Sequence, residues 1–201
     1  MTVYVITHPE VDVDPGVPVP QWGLSAAGRA RVEELLRLPW ATTLARVVAS
    51  TETKAVQTAQ ALAVPLGLPV LTDRDLGEND RSATGFVPPA EFERLADAFF
   101  ARPGVSVGGW ERAVDAQARF VAAVTRAVDG AGGDVAVVAH GGVGTLLWCH
   151  LAGVAIDRRH DQPGQGSWFA FEPPAGRPAG AWTRIGAPPA ATPLAGAPSS
   201  G

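Results

Sequence analysis

Short apolar segments alternate with longer amphipathic segments along most of this chain. Four of the short segments are rich in β-branched residues and are therefore predicted to be buried strands, over residues 3–7, 45–50, 69–72 and 134–139. Five stripes of apolar residues at helical spacing predict helices over residues 25–38, 55–63, 92–100, 110–128 and about 143–152. Strands and helices that alternate in this way indicate an α/β fold, a three-layer α/β/α sandwich around a mostly parallel central sheet.

The C-terminal segment differs in composition from the rest of the chain. Pro and Gly are frequent from residue 173 onward, and only residues 181–185 have the pattern of a short strand there. Residues 187–201 are rich in Ala, Pro, Gly and Ser, and they can bury too little apolar surface to order themselves. We therefore predict one domain over residues 1–186, followed by a disordered tail over residues 187–201.

Composition excludes several classes of protein. The length of 201 residues suits one domain, and 16 basic against 20 acidic residues give a net charge of −4, so no nucleic acid partner is expected. A local basic pocket for one phosphate is compatible with this total. The single cysteine, Cys149, excludes internal disulfides and multi-cysteine metal sites. Because neither a membrane span nor a signal peptide is visible, we expect a cytoplasmic protein with no membrane partner. The pattern does not indicate an oligomeric state.

Two of the four histidines directly follow predicted strands. His8 follows the strand over residues 3–7, and His140 follows the strand over residues 134–139. In parallel α/β sheets, ligands bind beyond the carboxyl ends of the strands, so the two imidazoles would face one pocket if these strands were neighbours. A structural role in a turn is the alternative for either histidine alone, but their shared placement favours a function.

Three further segments carry candidate chemistry near strand ends. After His140, Gly141 begins a strand-to-helix junction whose backbone N–H groups could bind a phosphate, although two glycines also make an ordinary tight turn. Lys54 lies in the first turn of a helix, where a cation opposes the helix dipole; a ligand would explain it, and a solvated lysine is the alternative. In the polar loop after the third strand, Glu78 could act as a general acid and Arg81 could bind an oxyanion.

Five segments, in the same order along the chain, resemble the histidine phosphatase (phosphoglycerate mutase-like) superfamily, and the resemblance runs from residue 2 to about residue 172. Thr-His-Pro stands in place of the family's Arg-His-Gly, and Lys stands at the arginine position of its Ser-x-x-x-Arg-Ala segment. The Leu-Ser-x-x-Gly, Leu-x-Glu and Val-Val-x-His-Gly-Gly segments are retained. Along the chain, the five segments are residues 7–9, 24–31, 50–59, 76–78 and 137–142.

The resemblance implies a phosphatase that uses neither a cofactor nor a metal. His8 takes the place of the family's phosphorylated nucleophile, and His140 takes that of its second catalytic histidine. Glu78 would protonate the leaving oxygen and then deprotonate water. The implied activity is that of a histidine acid phosphatase-type phosphomonoesterase, whose partner is a small phosphorylated metabolite and whose intermediate is a phosphohistidine.

Two departures from the family affect the groups that would bind phosphate. Thr7 stands where the family has its first phosphate-binding arginine, and Lys54 offers a point charge in place of a bidentate guanidinium. Losing one charge-assisted hydrogen bond costs about 1.5–3 kcal/mol, and Arg81 could supply the missing charge. The alternative hypothesis is therefore a catalytically degenerate member that binds a phosphorylated ligand or a protein partner. A dinucleotide-binding domain is disfavoured, because no Gly-x-Gly-x-x-Gly follows the first strand.

Overall fold

The computed structural model describes residues 1–174 and 176–187, and the described strands form one sheet. The strands are β1 (Val3–Thr7), β2 (Arg46–Ala49), β3 (Val70–Thr72), β4 (Val135–Ala139), β5 (Ser167–Phe171) and β6 (Thr183–Arg184). Their order across the sheet is β3-β2-β4-β1-β5-β6. The pairs β3–β2, β2–β4 and β4–β1 are parallel, whereas β5 pairs with β1 and with β6 in the antiparallel direction.

Helices cover both faces of this sheet. They are α1 (Ala26–Leu35), α2 (Thr53–Ala63), α3 (Pro89–Ala101), α4 (Ala113–Val128) and α5 (Gly141–Ala152). One buried apolar cluster joins the sheet to α1 and α2, and a second joins it to α3, α4 and α5. Side chains of a strand alternate between its faces, so Val3 and Val5 of β1 belong to the second cluster while Ile6 belongs to the first. The predicted three-layer sandwich with a mostly parallel sheet is confirmed.

A capped turn before α1 brings its first residues against the segment that follows β1. Ser25 is the N-cap, and its Oγ accepts a hydrogen bond of 3.1 Å from the backbone N–H of Gly28. A Cβ added to Gly28 would lie 2.1 Å from the carbonyl oxygen of Glu10, closer than real atoms approach. Glycine is therefore required here, because the helix packs directly on the backbone two residues after His8.

The structure contains one strand that the sequence analysis missed. β5 (Ser167–Phe171) carries three aromatic residues and pairs with β1 on the side opposite β4. It follows α5 after a loop rich in Gly and Gln, and two prolines lie shortly after it. Its five residues include no Val, Ile or Thr, the β-branched residues that are frequent in the segments predicted as strands.

Several predicted elements differ from the structure; among them, α3 begins at Pro89, three residues before its predicted start. The strand predicted over residues 69–72 is β3, but it lies at the edge of the sheet and its Leu71 is 47% exposed, so the prediction that it is buried was wrong. The helix predicted to begin at residue 110 begins at Ala113. Trp110 is buried from the preceding loop, where its indole N–H donates to Thr84 Oγ1 at 2.9 Å. Its apolar side chain thus follows the helical spacing without being part of the helix.

The domain boundary predicted at residue 186 stays a prediction, because residues 188–201 of the predicted tail lie outside the described residues. None of the helices in the described part of the chain has the length and apolarity that a membrane crossing needs. Within residues 1–174 and 176–187, His, Cys, Asp and Glu side chains form no group of three or more that could hold a metal ion.

The packing of α4 predicts a matched pair of stability effects. Val124 is 3% exposed and packs in the core, whereas Val114 on the same helix is 39% exposed. We expect Val124→Ala to lower the free energy of unfolding by about 2 kcal/mol, through lost burial and an unfilled cavity. Val114→Ala should change it by less than about 0.5 kcal/mol. Urea unfolding of both variants measures the difference, and equal losses would contradict this assignment of the core.

Candidate active site

The pairing of β1 with β4 brings His8 and His140 together. The two strands are parallel neighbours in which Thr7 lies opposite Ala139, so each histidine is the next residue beyond its strand. The backbone N–H of His8 donates to the carbonyl of Ala139 at 3.1 Å and extends the pairing by one step. The two imidazole centroids are 5.2 Å apart, and the rings are inclined by 65°. Both rings therefore face one site at the carboxyl end of the sheet, as the sequence pattern predicted for neighbouring strands.

His8 is held in the tautomer that a nucleophile requires. Its Nδ1 lies 2.8 Å from the backbone carbonyl oxygen of Pro9. A carbonyl oxygen only accepts hydrogen bonds, so Nδ1 carries the hydrogen and Nε2 keeps its lone pair. Burial, and after it the neighbouring His140, lower the pKa of His8 to about 3. The imidazole is therefore neutral at neutral pH.

His140 is 1% exposed and is bonded through one ring nitrogen. Its Nε2 lies 2.9 Å from Ser50 Oγ and 3.2 Å from Oε1 of Glu52. Burial lowers the pKa of His140, although the charges of Glu52 and Glu78 act in the opposite direction. The hydrogen bond of Nε2 is to Ser50 Oγ, a hydroxyl that can both donate and accept, and the carboxylate of Glu52 lies beside it. The second nitrogen, Nδ1, is buried and has no partner among the described residues.

Glu52 is a site residue that the sequence analysis missed. Its Oε1 also accepts from the backbone N–H of Glu78 at 3.2 Å, and its Oε2 forms an ion pair with Lys54 Nζ. Burial raises the pKa of Glu52, but His140 and Lys54 outweigh that effect and hold the pKa at about 2. Glu52 precedes α2 as its N-cap residue, two positions before Lys54. The two-residue spacing of Glu52 and Lys54 was the signal that the sequence offered for this site residue, because it allows two opposite charges to meet at the start of a helix.

Lys54 is at the site, but its ammonium group already has protein partners. The side chain is buried, and Nζ donates to the carbonyl oxygen of Val19 at 2.9 Å besides pairing with Glu52. A buried ammonium needs such partners because its desolvation is costly. Of the two explanations offered for Lys54 from the sequence, the solvated surface lysine is wrong.

Glu78 occupies the start of α5, where a phosphate was considered from the sequence. Its two carboxylate oxygens accept from the backbone N–H groups of Gly142 and Val143, each at 3.0 Å. Burial raises the pKa of Glu78, but Arg81, His140 and the N–H groups of Asn79 and Gly142 together keep it below its usual value. A carboxylate is favoured at a helix N-terminus for the same reason as a phosphate. Glu78 is therefore ionised at neutral pH, and its carboxylate occupies backbone N–H groups at the start of α5 that could otherwise bind a phosphate.

Arg81 brings a second cation to the site. Its guanidinium lies over the rings of Phe92 and Trp110, 5.1 and 5.4 Å from their centroids, which fixes its position through cation–π contacts. Its Nη2 is 3.7 Å from Oε2 of Glu78, which is longer than a hydrogen bond. The charge of Arg81 also contributes to the low pKa of His140. Arg81 thus lies beside the two predicted catalytic groups Glu78 and His140.

Thr7 and Gly141 lie on either side of a second residue that the sequence analysis missed, Gln162. The hydroxyl of Thr7 donates to Oε1 of Gln162, and it also accepts from the backbone N–H of Ser167 at 3.0 Å. A Cβ added to Gly141 would lie 2.4 Å from Nε2 of Gln162, so the amide covers this glycine closely. The space beside Thr7, where the family has an arginine, is thus filled by an amide. Gln162 lies 155 residues after Thr7 in the chain, so no local pattern in the sequence indicated that the two side chains meet.

Solved structures share this fold over nearly the whole chain. A mycobacterial glucosyl-3-phosphoglycerate phosphatase in complex with VO3 is 22% identical, with a TM-score of 0.72 over 90% of this chain and 96% of the other. YhfR of Bacillus stearothermophilus is 24% identical, with a TM-score of 0.72 over 88% and 93%. A putative alpha-ribazole-5'-P phosphatase of Escherichia coli is 20% identical, with a TM-score of 0.72 over 93% and 100%. No curated protein matches the sequence.

The fold and the paired histidines at the carboxyl end of its sheet define the phosphoglycerate mutase-like class of α/β proteins. The sequence matches the model of the histidine phosphatase superfamily (branch 1) over residues 15–181, which is most of the chain. The protein belongs to this superfamily.

The low pKa of His8 predicts how folding stability depends on pH. The folded protein leaves His8 unprotonated down to about pH 3, whereas in the unfolded chain a histidine binds a proton below about pH 6.5. The unfolded state therefore binds more protons in this window, and the free energy of unfolding falls as the pH is lowered. Between about pH 7.5 and 5.5 we expect His8 to account for a loss of about 1 kcal/mol.

Urea unfolding at the two pH values tests this contribution. His8→Asn should remove it and make the pH dependence shallower, while the contribution of the buried His140 stays. His150→Asn, which changes an exposed histidine, should keep the pH dependence of the wild type. An unchanged pH dependence in His8→Asn would show that His8 is not held neutral by the fold.

Proposed function

We propose that this protein is a phosphatase that hydrolyses a small phosphorylated metabolite through a phosphohistidine on His8, without a metal or a cofactor. The observation that carries the proposal is the hydrogen bond between His8 Nδ1 and the Pro9 carbonyl, which leaves the Nε2 lone pair available beside His140. The names of two structural relatives, a glucosyl-3-phosphoglycerate phosphatase and a putative alpha-ribazole-5'-P phosphatase, support small phosphate esters as the substrate class.

The proposed reaction has two displacements at phosphorus. In the first, His8 Nε2 forms a bond to phosphorus while the ester P–O bond breaks and the leaving oxygen takes the proton of the singly charged phosphoryl group. Glu78 is ionised and does not hold the proton that the resemblance expects it to donate in this step. In the second, water attacks the phosphohistidine, a proton passes to Glu78, and inorganic phosphate is released. A covalent intermediate divides one difficult step into two easier ones. Arg81 would contact the phosphoryl oxygens and offset the charge that develops in both steps.

The first experiment looks for the intermediate. During turnover of a labelled phosphate ester, rapid quenching in base should trap a phosphoprotein that is stable in base and labile in acid. His8→Asn should abolish both this species and turnover, whereas His150→Asn, which changes an exposed histidine, should retain both. Turnover that persists in His8→Asn would exclude the mechanism.

Glu78→Gln separates the two displacements. Because Glu78 is ionised at neutral pH, it is suited to accept the proton of the attacking water. With p-nitrophenyl phosphate, whose leaving group departs without a proton, we expect Glu78→Gln to leave phosphoenzyme formation nearly unchanged. It should slow phosphoenzyme breakdown by about 10²–10⁴-fold, so that phosphohistidine accumulates in a quenched-flow measurement. If Glu78→Gln slowed phosphoenzyme formation and left phosphoenzyme breakdown unchanged, the role of Glu78 as the base would be contradicted.

One observation favours the alternative of a catalytically degenerate, phosphate-binding member. Thr7 stands where the family has an arginine, and Lys54, one of the two cations at the site, is paired with Glu52. In that case the wild-type protein would bind phosphate or vanadate in calorimetry, yet show no turnover over a screen of small phosphate esters and no trapped phosphoprotein.

A further inference from the structure

Glu52 places a carboxylate among the groups that would otherwise bind a phosphoryl group. Its Oε1 lies 3.2 Å from His140 Nε2 and accepts from the backbone N–H of Glu78, and its Oε2 pairs with Lys54 Nζ. Lys54 and His140 are two of the groups that the histidine phosphatase resemblance assigns to phosphoryl oxygens. The side chain of Glu52 is only 13% exposed, so these contacts are poorly screened by water.

The resulting charge of the site is close to zero. Lys54 is balanced by Glu52, and Arg81 lies next to Glu78. The imidazole of His8 adds no charge at neutral pH, since its pKa is about 3. A phosphoryl group with two negative charges would therefore meet two carboxylates as well as two cations. A phosphoryl group with one negative charge would suffer about half of the repulsion from Glu52, because Coulomb energy is proportional to the charge.

Resting on the proposed function, we infer that Glu52 is a specificity-determining residue that makes this site select phosphate esters in their singly charged form. Its carboxylate takes the ammonium donor of Lys54, lies beside His140 and repels the doubly charged form. The singly charged ester carries a proton on its phosphoryl group. In the first displacement that proton passes to the leaving oxygen as the P–O bond breaks and the bond to His8 Nε2 forms, so that an alcohol is released and an ionised Glu78 is not asked to donate.

Binding of inorganic phosphate at two pH values tests the inference without relying on turnover. Phosphate groups lose their second proton near neutrality, with a pKa of about 6 in esters, so the singly charged form prevails at about pH 5 and the doubly charged form at about pH 8.5. Calorimetry should show that the wild-type protein binds phosphate more tightly at the lower pH. If the wild-type protein bound phosphate more tightly at the higher pH, this result alone would overturn the inference.

Glu52→Gln removes the carboxylate and keeps an acceptor of similar size. If the variant binds phosphate about tenfold more tightly than wild type at the lower pH, the gain at the higher pH should be about a hundredfold, because doubling the ligand charge doubles the repulsion energy that is removed. Glu52→Asp, which retains the charge, should retain the wild-type preference for the lower pH. A residue with only a structural role would not produce a gain that grows with the ligand's charge.

Glu33→Gln is the matched control, since it makes the same change in net charge at an exposed position of α1. It should leave phosphate affinity at both pH values as in wild type. If the wild type binds phosphate and Glu52→Gln binds it equally or more weakly at the higher pH, Glu52 positions the site and the inference fails. If neither protein binds phosphate at either pH and neither has phosphatase turnover, the proposed function itself fails.

Discussion

The parallel pairing of β1 with β4 is the constraint on which the candidate site depends. One residue beyond this pairing, the backbone N–H of His8 still bonds to β4, so the position of its imidazole relative to His140 is fixed by backbone geometry. A shift of one residue in register would turn the side chains of β1 to the opposite faces of the sheet. It would also move His8 out of line with His140. The buried apolar residues on both faces of β1 oppose such a shift and thereby keep the two imidazoles in place.

Charge compensation is the second organising principle of this site. Glu52 is paired with Lys54, and Glu78 takes the N–H groups at the start of α5. The loop that carries Glu78 is held by Arg119 of α4, which donates to the carbonyl oxygens of Asp75 and Gly77. Buried charges are costly unless they are paired, and these contacts give the protein a stable site without a ligand. The same contacts determine how much positive charge remains in the site to bind a ligand.

The sequence was sufficient to predict the sandwich and to bring His8 and His140 together, because both depend on local patterns. Alternating short strands and amphipathic helices indicate the parallel layers, and a histidine after a strand lies at a defined edge of a parallel sheet. Glu52 and Gln162 were missed for a different reason. Their importance depends on contacts across the fold, such as that of Gln162 with Thr7, which no periodicity encodes. The strand β5 was missed because its five residues lack the β-branched side chains that marked the predicted strands.

The central place of β1 in the sheet also affects how the chain is completed during synthesis. β1 is made before the other described strands, but both of its neighbours, β4 and β5, come from the last third of the sequence. Until α4 has been followed by β4, the apolar strand Val3–Thr7 has no partner for either edge. Contacts between such distant segments form slowly, and an unpaired apolar strand is prone to pair with other chains. β1, the first segment of the site to be synthesised, is therefore among the last strands to be enclosed by its neighbours in the sheet. Until then, the nascent chain needs protection against pairing of β1 with other chains.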